Sequence, residues 1–382
     1  MIILTNIIRR LFSVYCALLM LFLSTAPGEI RDADHSTDKT NYPYVFVHGY
    51  FGHGQYDELD AKYAYWGLST VRQMDTFNQS GFTAAAASVD PVGSAWDRAC
   101  ELYAQLKGAV VDYGKAHSEK YGHERYGKDY TGNALVEKWD SVNKINIVSH
   151  SFGGPTCALF ASILEYGAQE EISATTDGSL SDFFKGGKGD SIYSITGIAG
   201  AFNGTSMCIV AEKVDTFLNG GVKAEGDNGL YDMQPDNTAK LNETIKSVDS
   251  IYYFTVPCCS TVSVCEKNLP NVTITDLQFG LPSVIMSNMN TVTDGGIVID
   301  EKWQPNDGMV NTISEIGPFN AELNFLETAP STELAVNGFD KGVYNVFETY
   351  SGSHMSIMGN ITIPNYNGTE YLINLMSMIN AL

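Results

Sequence analysis

The stretch Val148-Ser149-His150-Ser151-Phe152-Gly153-Gly154 constrains the fold of this chain more than any other. Before it runs Lys144-Ile145-Asn146-Ile147-Val148, a short apolar strand, and after it residues 155–164 read as a buried helix. A serine held between strand and helix in a small-x-Ser-x-Gly-Gly turn is the nucleophile elbow of an α/β-hydrolase. So tight a turn needs small residues two before and two after the serine. Gly153 meets that demand; Ser149, where glycine is usual, meets it less well. The elbow would hold Ser151 at the top of the sheet, with the backbone N–H of Phe152 and the helix N-terminus beside it. The five residues alone also suit an ordinary strand–loop–helix with an incidental serine; the flanking segments favour the elbow.

Other segments supply the rest of such a fold. Tyr42-Pro43-Tyr44-Val45-Phe46-Val47 is a buried-strand pattern running into His48-Gly49-Tyr50-Phe51-Gly52. A strand followed by His-Gly-aromatic is where lipases build the other half of the oxyanion hole, so the N–H of Tyr50 is expected to join that of Phe152. Further strands are expected around 84–89, 191–198 and 251–256, and helical spacing runs over 98–113. Strands alternating with helices imply a mainly parallel sheet covered on both faces. Residues 114–134, polar and rich in Gly, Tyr and His, resemble an inserted subdomain. Residues 206–245 interrupt the alternation and suit a lid, with Met207, Ile209, Val210, Val214, Phe217 and Leu218 on its apolar face; a buried helix is the competing reading. Expected boundaries are therefore a signal at 1–26, a flexible lead-in at 27–41 and a hydrolase domain over 42–382, with insertions at about 90–134 and 206–245.

The first 26 residues have a basic start (Arg9-Arg10), an apolar run over 11–23 and small residues before a cut after Ala26, which makes a secretory signal; an uncleaved anchor is the alternative. No later stretch is long and apolar enough to span a bilayer. Without Cys16, the remaining cysteines, at 100, 157, 208, 258, 259 and 265, allow three disulfides, and Cys258 with Cys265 could close a small loop; Cys157 reads as a buried thiol. Asn-x-Ser/Thr sites at Asn78, Asn203, Asn242, Asn271, Asn360 and Asn367 suggest a glycosylated protein, with Asn203 too near the core for modification. A net charge of −21 argues against nucleic acid and anionic membrane surfaces as partners, so contact with lipid would need an apolar patch.

A serine hydroxyl needs a base, and the base an orienting carboxylate, in the chain order Ser, acid, His. Of the seven histidines (35, 48, 53, 117, 123, 150 and 354) only His354 follows the elbow, in the polar loop Tyr350-Ser351-Gly352-Ser353-His354. Asp307 lies between them, at a turn in Trp303-Gln304-Pro305-Asn306-Asp307-Gly308, with Asp294 and Asp300 as competitors. Ser151, Asp307 and His354 form the expected triad. Asp-Gly is also a common turn dipeptide without function.

Together these residues resemble the secreted lipases of staphylococci and thermophilic bacilli, including the zinc-containing members. The likeness is strongest in 42–52, 94–127, 145–154 and 306–311. The block Ser94-Ala95-Trp96-Asp97-Arg98-Ala99-Cys100-Glu101-Leu102-Tyr103 is the most specific, because nothing in a general hydrolase requires it. The resemblance implies a carboxylic ester hydrolase acting on acylglycerols at a lipid–water interface. It also implies a structural zinc held by Asp97, His117 and His123. The family's fourth ligand falls in an insertion that is shorter here, so Asp227 and Asp215 are candidates by proximity only. Calcium is doubtful: the resemblance puts Ser356 and Ile361 where the family has carboxylates. The family's Thr-Pro-His-Asp-Gly-Thr wall segment is here Gly200-Ala201-Phe202-Asn203-Gly204-Thr205.

The leading expectation is a secreted triacylglycerol lipase. An esterase, phospholipase or acyltransferase would use the same triad. A non-catalytic binding protein on a retained hydrolase fold is the alternative of another class, and the survival of every triad and oxyanion position argues against it.

Overall fold

The computed structural model describes residues 33–68, 71–211, 226–264, 267–271, 279–359 and 368–382. Seven strands form the central sheet: β1 (Tyr44–Val47), β2 (Ala84–Ala87), β3 (Ile145–His150), β4 (Ile192–Ile198), β5 (Tyr252–Val256), β6 (Leu323–Phe325) and β7 (Tyr344–Val346). Their order across the sheet is β6-β7-β5-β4-β3-β1-β2, and every pairing is parallel. Parallel strands need crossover connections, which place helices on both faces. The helices that matter here are α1 (Ala95–Lys107), α2 (Lys115–Tyr121), α3 (Gly153–Tyr166), α4 (Pro235–Thr244), α5 (Gly280–Ser287) and α6 (Gly368–Asn380).

The period-2 alternation of strand side chains sorts the core into two layers. Val45, Val47, Ile145 and Ile147 point to one face, where Ala99 and Leu102 of α1 and Leu159 and Phe160 of α3 cover them. Tyr44, Phe46 and Val148 point to the other, under Leu372, Leu375, Met376 and Ile379 of α6. Both faces are dry, so β1 and β3 are buried along their whole length and read as continuous apolar runs.

Three expectations change. The helix expected over 98–113 ends at Lys107, because Gly108 adopts a left-handed C-cap (φ 62°) and its N–H bonds back to the Ala104 carbonyl. Val110 and Val111 then belong to the strand Val110–Asp112, which pairs antiparallel with Tyr126–Asp129. The lead-in is docked from its described start: His35 bonds the Ser80 carbonyl at 2.7 Å, and the N–H groups of Lys39 and Thr40 bond the Asn380 carbonyl at 2.7 and 3.0 Å. Among the described cysteines, Cys100, Cys157, Cys258 and Cys259 stand as thiols, three of them buried. Cys265, and with it the suggested loop to Cys258, lies outside the described residues, as do Asn360, Asn367, Ile361, Asp215, Val214, Phe217 and Leu218. Asn242 joins Asn203 in the interior, its Nδ2 donating to the Phe202 carbonyl at 2.8 Å, so neither offers an exposed amide for a glycan. Among the described residues no helix is long and apolar enough to cross a membrane.

Candidate active site

Backbone strain in this molecule gathers at one edge. Among the described residues, three non-glycine residues take a left-handed conformation: Phe51 (φ 60°), Ser151 (φ 57°) and Ala199 (φ 47°). They follow the C-terminal ends of β1, β3 and β4, the edge where parallel α/β sheets carry their chemistry. At Ser151 the cost is offset by three backbone hydrogen bonds. Its N–H donates to Ile198 O at 3.0 Å, and its carbonyl accepts from Gly154 at 3.0 Å and Ala201 at 3.1 Å.

The small-residue rule of the elbow has a direct geometric cause. A Cβ at Gly153 would lie 2.6 Å from the Val47 carbonyl oxygen of β1. Ser149, the less usual residue, fits because it is fully buried and its hydroxyl donates to the Thr196 carbonyl of β4 at 3.0 Å. Gly49 is required from the other side, since a Cβ there would stand 2.6 Å from Ser151 Cβ and 3.0 Å from Ser151 Oγ.

Asp307 and His354 meet across 47 residues of sequence. His354 Nδ1 lies 2.5 Å from Asp307 Oδ2, and the His354 N–H donates to the Asp307 carbonyl at 2.9 Å. The other carboxylate oxygen of Asp307 accepts from the N–H groups of Met309 (2.9 Å) and Val310 (2.8 Å), which fixes its plane. Gly308 is more than a turn residue: its φ is +102°, and a Cβ would strike Phe279, whose ring stands edge-on to His354 at 6.3 Å. Asp307 is fully buried and His354 nearly so. The competitor Asp300 instead caps a 3₁₀ turn, accepting from the Lys302 N–H at 3.0 Å, and contacts neither Ser151 nor His354.

Two buried residues not foreseen as site members tie these parts together. Arg98, on α1, reaches under the oxyanion strand and donates to the carbonyls of Asp90 (2.8 Å), Gly49 (3.4 Å) and His48, and to Thr156 Oγ1 (3.2 Å). Its guanidinium also lies 5.0 Å from the centre of the Phe152 ring. Burial pushes it down to about 10, so it stays charged at neutral pH. This explains why the Ser94–Tyr103 block is so distinctive. The second residue is His150, immediately before the nucleophile. The Gly49 N–H donates to Tyr65 Oη (3.0 Å), Tyr65 lies 2.6 Å from His150 Nδ1, and His150 Nε2 lies 2.8 Å from the His354 carbonyl. A carbonyl only accepts, so Nε2 carries the proton and Nδ1 receives the tyrosine's. Burial, then the neighbouring His354, holds His150 far below the usual histidine range and therefore neutral. The chain Gly49–Tyr65–His150–His354 links the loop after β1 to His354 through the interior.

A second cluster lies beside α1. Asp97, His117, His123 and Asp227 each turn one ligand atom inward, all within 4.8 Å of one another. His117 Nε2 is 3.1 Å from both Asp97 Oδ1 and Asp227 Oδ2, and His123 Nε2 is 3.2 Å from Asp227 Oδ2. His123 Nδ1 bonds the Glu124 carbonyl at 2.9 Å, which puts the proton there and leaves Nε2 as a lone pair aimed at the cluster. His123 Nε2 and Asp97 Oδ1 are buried, and neither makes a well-formed hydrogen bond. Burial disfavours the charged form of His117, but the Asp227 and Asp97 carboxylates beside it outweigh that and push it up to about 9. The group could hold a metal ion. Among the described residues, Asp227 takes the fourth position of the cluster. Gly229, two residues on, packs onto Tyr50 and Phe152: a Cβ there would lie 2.9 and 2.8 Å from their rings. Ser356, at the position tied to calcium by resemblance, is buried and donates to the Ser353 carbonyl at 2.8 Å.

The family described as "Lipase-like, C-terminal domain" matches residues 40–216. The structure of lipase 1 from Pelosinus fermentans is 30% identical, with a TM-score of 0.73, covering 90% of this chain and 99% of that one. The chain belongs to this lipase family. EstA from Clostridium botulinum is similar at 27% identity and a TM-score of 0.77, covering 94% of this chain and 92% of its own. The lipase of Staphylococcus hyicus is 30% identical over 92% of this chain, but the match takes in only 58% of the staphylococcal sequence. The chain thus spans little more than half the length of the curated relatives it matches. Its seven-stranded parallel sheet with flanking helices is the α/β-hydrolase fold of these lipase neighbours.

Proposed function

We propose that this lipase-family member is a secreted carboxylic ester hydrolase acting on acylglycerol lipids at a lipid–water interface. Ser151 is the nucleophile, His354 the base and Asp307 the orienting acid. The observation that carries this reading is the Asp307–His354 pair, locked at 2.5 Å and backed by two N–H bonds to the carboxylate, beside a serine in a strained elbow. Ser151 Oγ attacks the ester carbonyl and its proton passes to His354 Nε2. Asp307 keeps the proton of His354 on Nδ1 and balances the imidazolium. The N–H groups of Tyr50 and Phe152 receive the oxyanion, His354 returns its proton to the leaving alcohol, and water releases the acid from the acyl-enzyme.

Zinc is the metal we assign to Asp97, His117, His123 and Asp227: two imidazoles and two carboxylates suit a closed tetrahedral set, in which the metal is structural. It would supply a cross-link between α1, the turn after α2 and the segment that packs on Tyr50 and Phe152. Entry of the ion would displace the proton that His117 otherwise carries. The remaining parts of the reading are export by residues 1–26, a metal-bearing insertion at about 90–134 and a lid within 206–245.

The test is hydrolysis of a series from acetyl to oleoyl esters, with a phospholipid alongside, by wild type and Ser151→Ala. Turnover that vanishes in the variant is expected, with an optimum at long acyl chains. A short-chain or phospholipid optimum would replace lipase with esterase or phospholipase. No turnover by folded wild type would favour a binding protein. For the metal, elemental analysis should give one zinc per chain, and chelation should lower the melting temperature of wild type but not of His123→Ala.

A further inference from the structure

Behind Asp307, on the side away from His354, lies a second carboxyl group that the catalytic scheme leaves unexplained. Glu315, in the 3₁₀ turn Thr312–Ile316, is fully buried. Its Oε2 accepts from the Cys258 N–H at 2.5 Å. Its Oε1 is buried and meets no donor. The Asp307 carboxyl is a hydrogen-bonding neighbour of the Glu315 side chain. Asp307 has given one oxygen to Met309 and Val310 and the other to His354. Among the described residues no lysine or arginine pairs with Glu315. The ionisable groups around it are Asp307, the Cys258 and Cys259 thiols and, beyond Asp307, His354.

Two carboxylates, both acceptors only, cannot sit face to face in a dry interior; a shared proton turns the contact into a hydrogen bond. Asp307 is the partner that gains from ionisation, since it receives two N–H donors and an imidazole. Glu315 has one N–H donor and no cation, so the proton resides on it. Burial first, and then the Asp307 charge, raises its affinity for that proton.

Resting on the triad assignment above, we propose that Glu315 is a neutral carboxylic acid that donates a hydrogen bond to Asp307, making it a positioning residue for the Asp307–His354 pair. The proton between Glu315 and Asp307 stays there throughout turnover, while the serine proton travels only to His354 and back. The extra donor holds Asp307 anionic and aimed at Nδ1, and it leaves no charged carboxylate behind the triad to bias His354.

The test uses the full chain with Glu315→Gln, which keeps the shape and a donor, and Glu315→Leu, which keeps neither donor nor acceptor. Infrared difference spectra of Glu315→Gln against wild type near pH 7, without substrate, should show the C=O stretch of a protonated carboxylic acid in wild type only. NMR titration of His354 should give the same midpoint in wild type and Glu315→Gln. Were Glu315 ionised, removing its charge would lower that midpoint by about one unit or more, because a buried charge that close is only partly screened. Ester kinetics should show Glu315→Gln close to wild type, and Glu315→Leu with kcat reduced about tenfold at nearly unchanged KM. Absence of the carboxylic-acid band together with a lowered His354 midpoint in Glu315→Gln would overturn the proposal. A folded Glu315→Leu with wild-type kcat would overturn the positioning role. The spectroscopic readouts need no substrate, so a protein inactive on every ester would defeat the functional reading while the carboxyl pair was still decided.

Discussion

Arg98→Met tests whether the oxyanion strand must be held from beneath. Burial pushes the guanidinium down to about 10, a cost to folding of about 3 kcal/mol at neutral pH. Against it stand bonds from a charged donor to the carbonyls of His48, Asp90 and Gly49 and to Thr156 Oγ1, each worth about 1.5–3 kcal/mol. The Gly49 contact, at 3.4 Å, contributes least. The balance favours arginine by about 2–4 kcal/mol, and methionine, which fills the space but leaves buried carbonyls unpaired, should lower the melting temperature by several degrees. The effect on rate should be as large as the effect on folding. The His48–Gly49 peptides that Arg98 grips lead directly into Tyr50. A misplaced oxyanion donor costs about 2.7–4 kcal/mol of transition-state stabilisation. The expected result with a soluble short-chain nitrophenyl ester is therefore a kcat lower by about 10²–10³ and a KM within about threefold of wild type. Arg98→Lys should fall between, since one ammonium cannot serve acceptors on both sides of the fork. A folded Arg98→Met with wild-type kcat would refute the argument, and the arginine would then be structural only.

Asp307→Asn should lower kcat by about 10⁴, because the amide favours the wrong imidazole tautomer, with the melting temperature measured alongside to separate tautomer from fold. Gly49→Ala places a methyl 3.0 Å from Ser151 Oγ and should reduce kcat/KM by about 10²-fold or more, read with the same ester. His150 is held neutral in the fold, below its ordinary value. The unfolded chain therefore binds one more proton as pH falls below about 6.5, and stability present above that pH is lost toward acid. Urea midpoints from pH 7 to 5 should fall more steeply for wild type than for His150→Asn, by about 1.4 kcal/mol per pH unit. Equal slopes would mean that His150 is charged or exposed.

Much of the site was legible because its residues answer to local rules. The elbow could be read from spacing, since a Cβ at residue 153 collides with the β1 carbonyls whatever the rest of the chain does. His354 could be reached by elimination, and Asp307 through a turn whose glycine is forced by both φ and Phe279. The strands β6 and β7, at one side of the sheet, do not stand out in the sequence: at three residues each they carry too little periodicity. The end of α1 was placed too late because Val110 and Val111 continue its apolar spacing, whereas the left-handed Gly108 stops it. Asp227 is a ligand candidate by proximity alone in the sequence, and the fold brings it beside Asp97, His117 and His123.

Arg98, Tyr65, His150 and Glu315 belong to a different kind of residue. Each acts on the backbone or carboxyl of a residue of the candidate site, Arg98, Tyr65 and His150 across long sequence separations and Glu315 across a turn. Read one at a time, an arginine in a helix, a tyrosine in a loop or a glutamate in a turn carries no mark of that task. The mark is burial without an ordinary partner. Arg98 is fully buried and, among the described residues, forms no carboxylate ion pair, and Glu315 has an oxygen without a donor. Desolvating such groups costs several kcal/mol when nothing compensates. A chain that keeps them inside therefore has to pair them with each other's backbone or with the site. In this fold the pairing converges on two places, the His48–Gly49 carbonyls and the Asp307–His354 pair. On the proposed mechanism these are the places where transition-state charge would develop, so the buried polar groups of the sheet edge, and not the three triad residues alone, are what the predicted variants test.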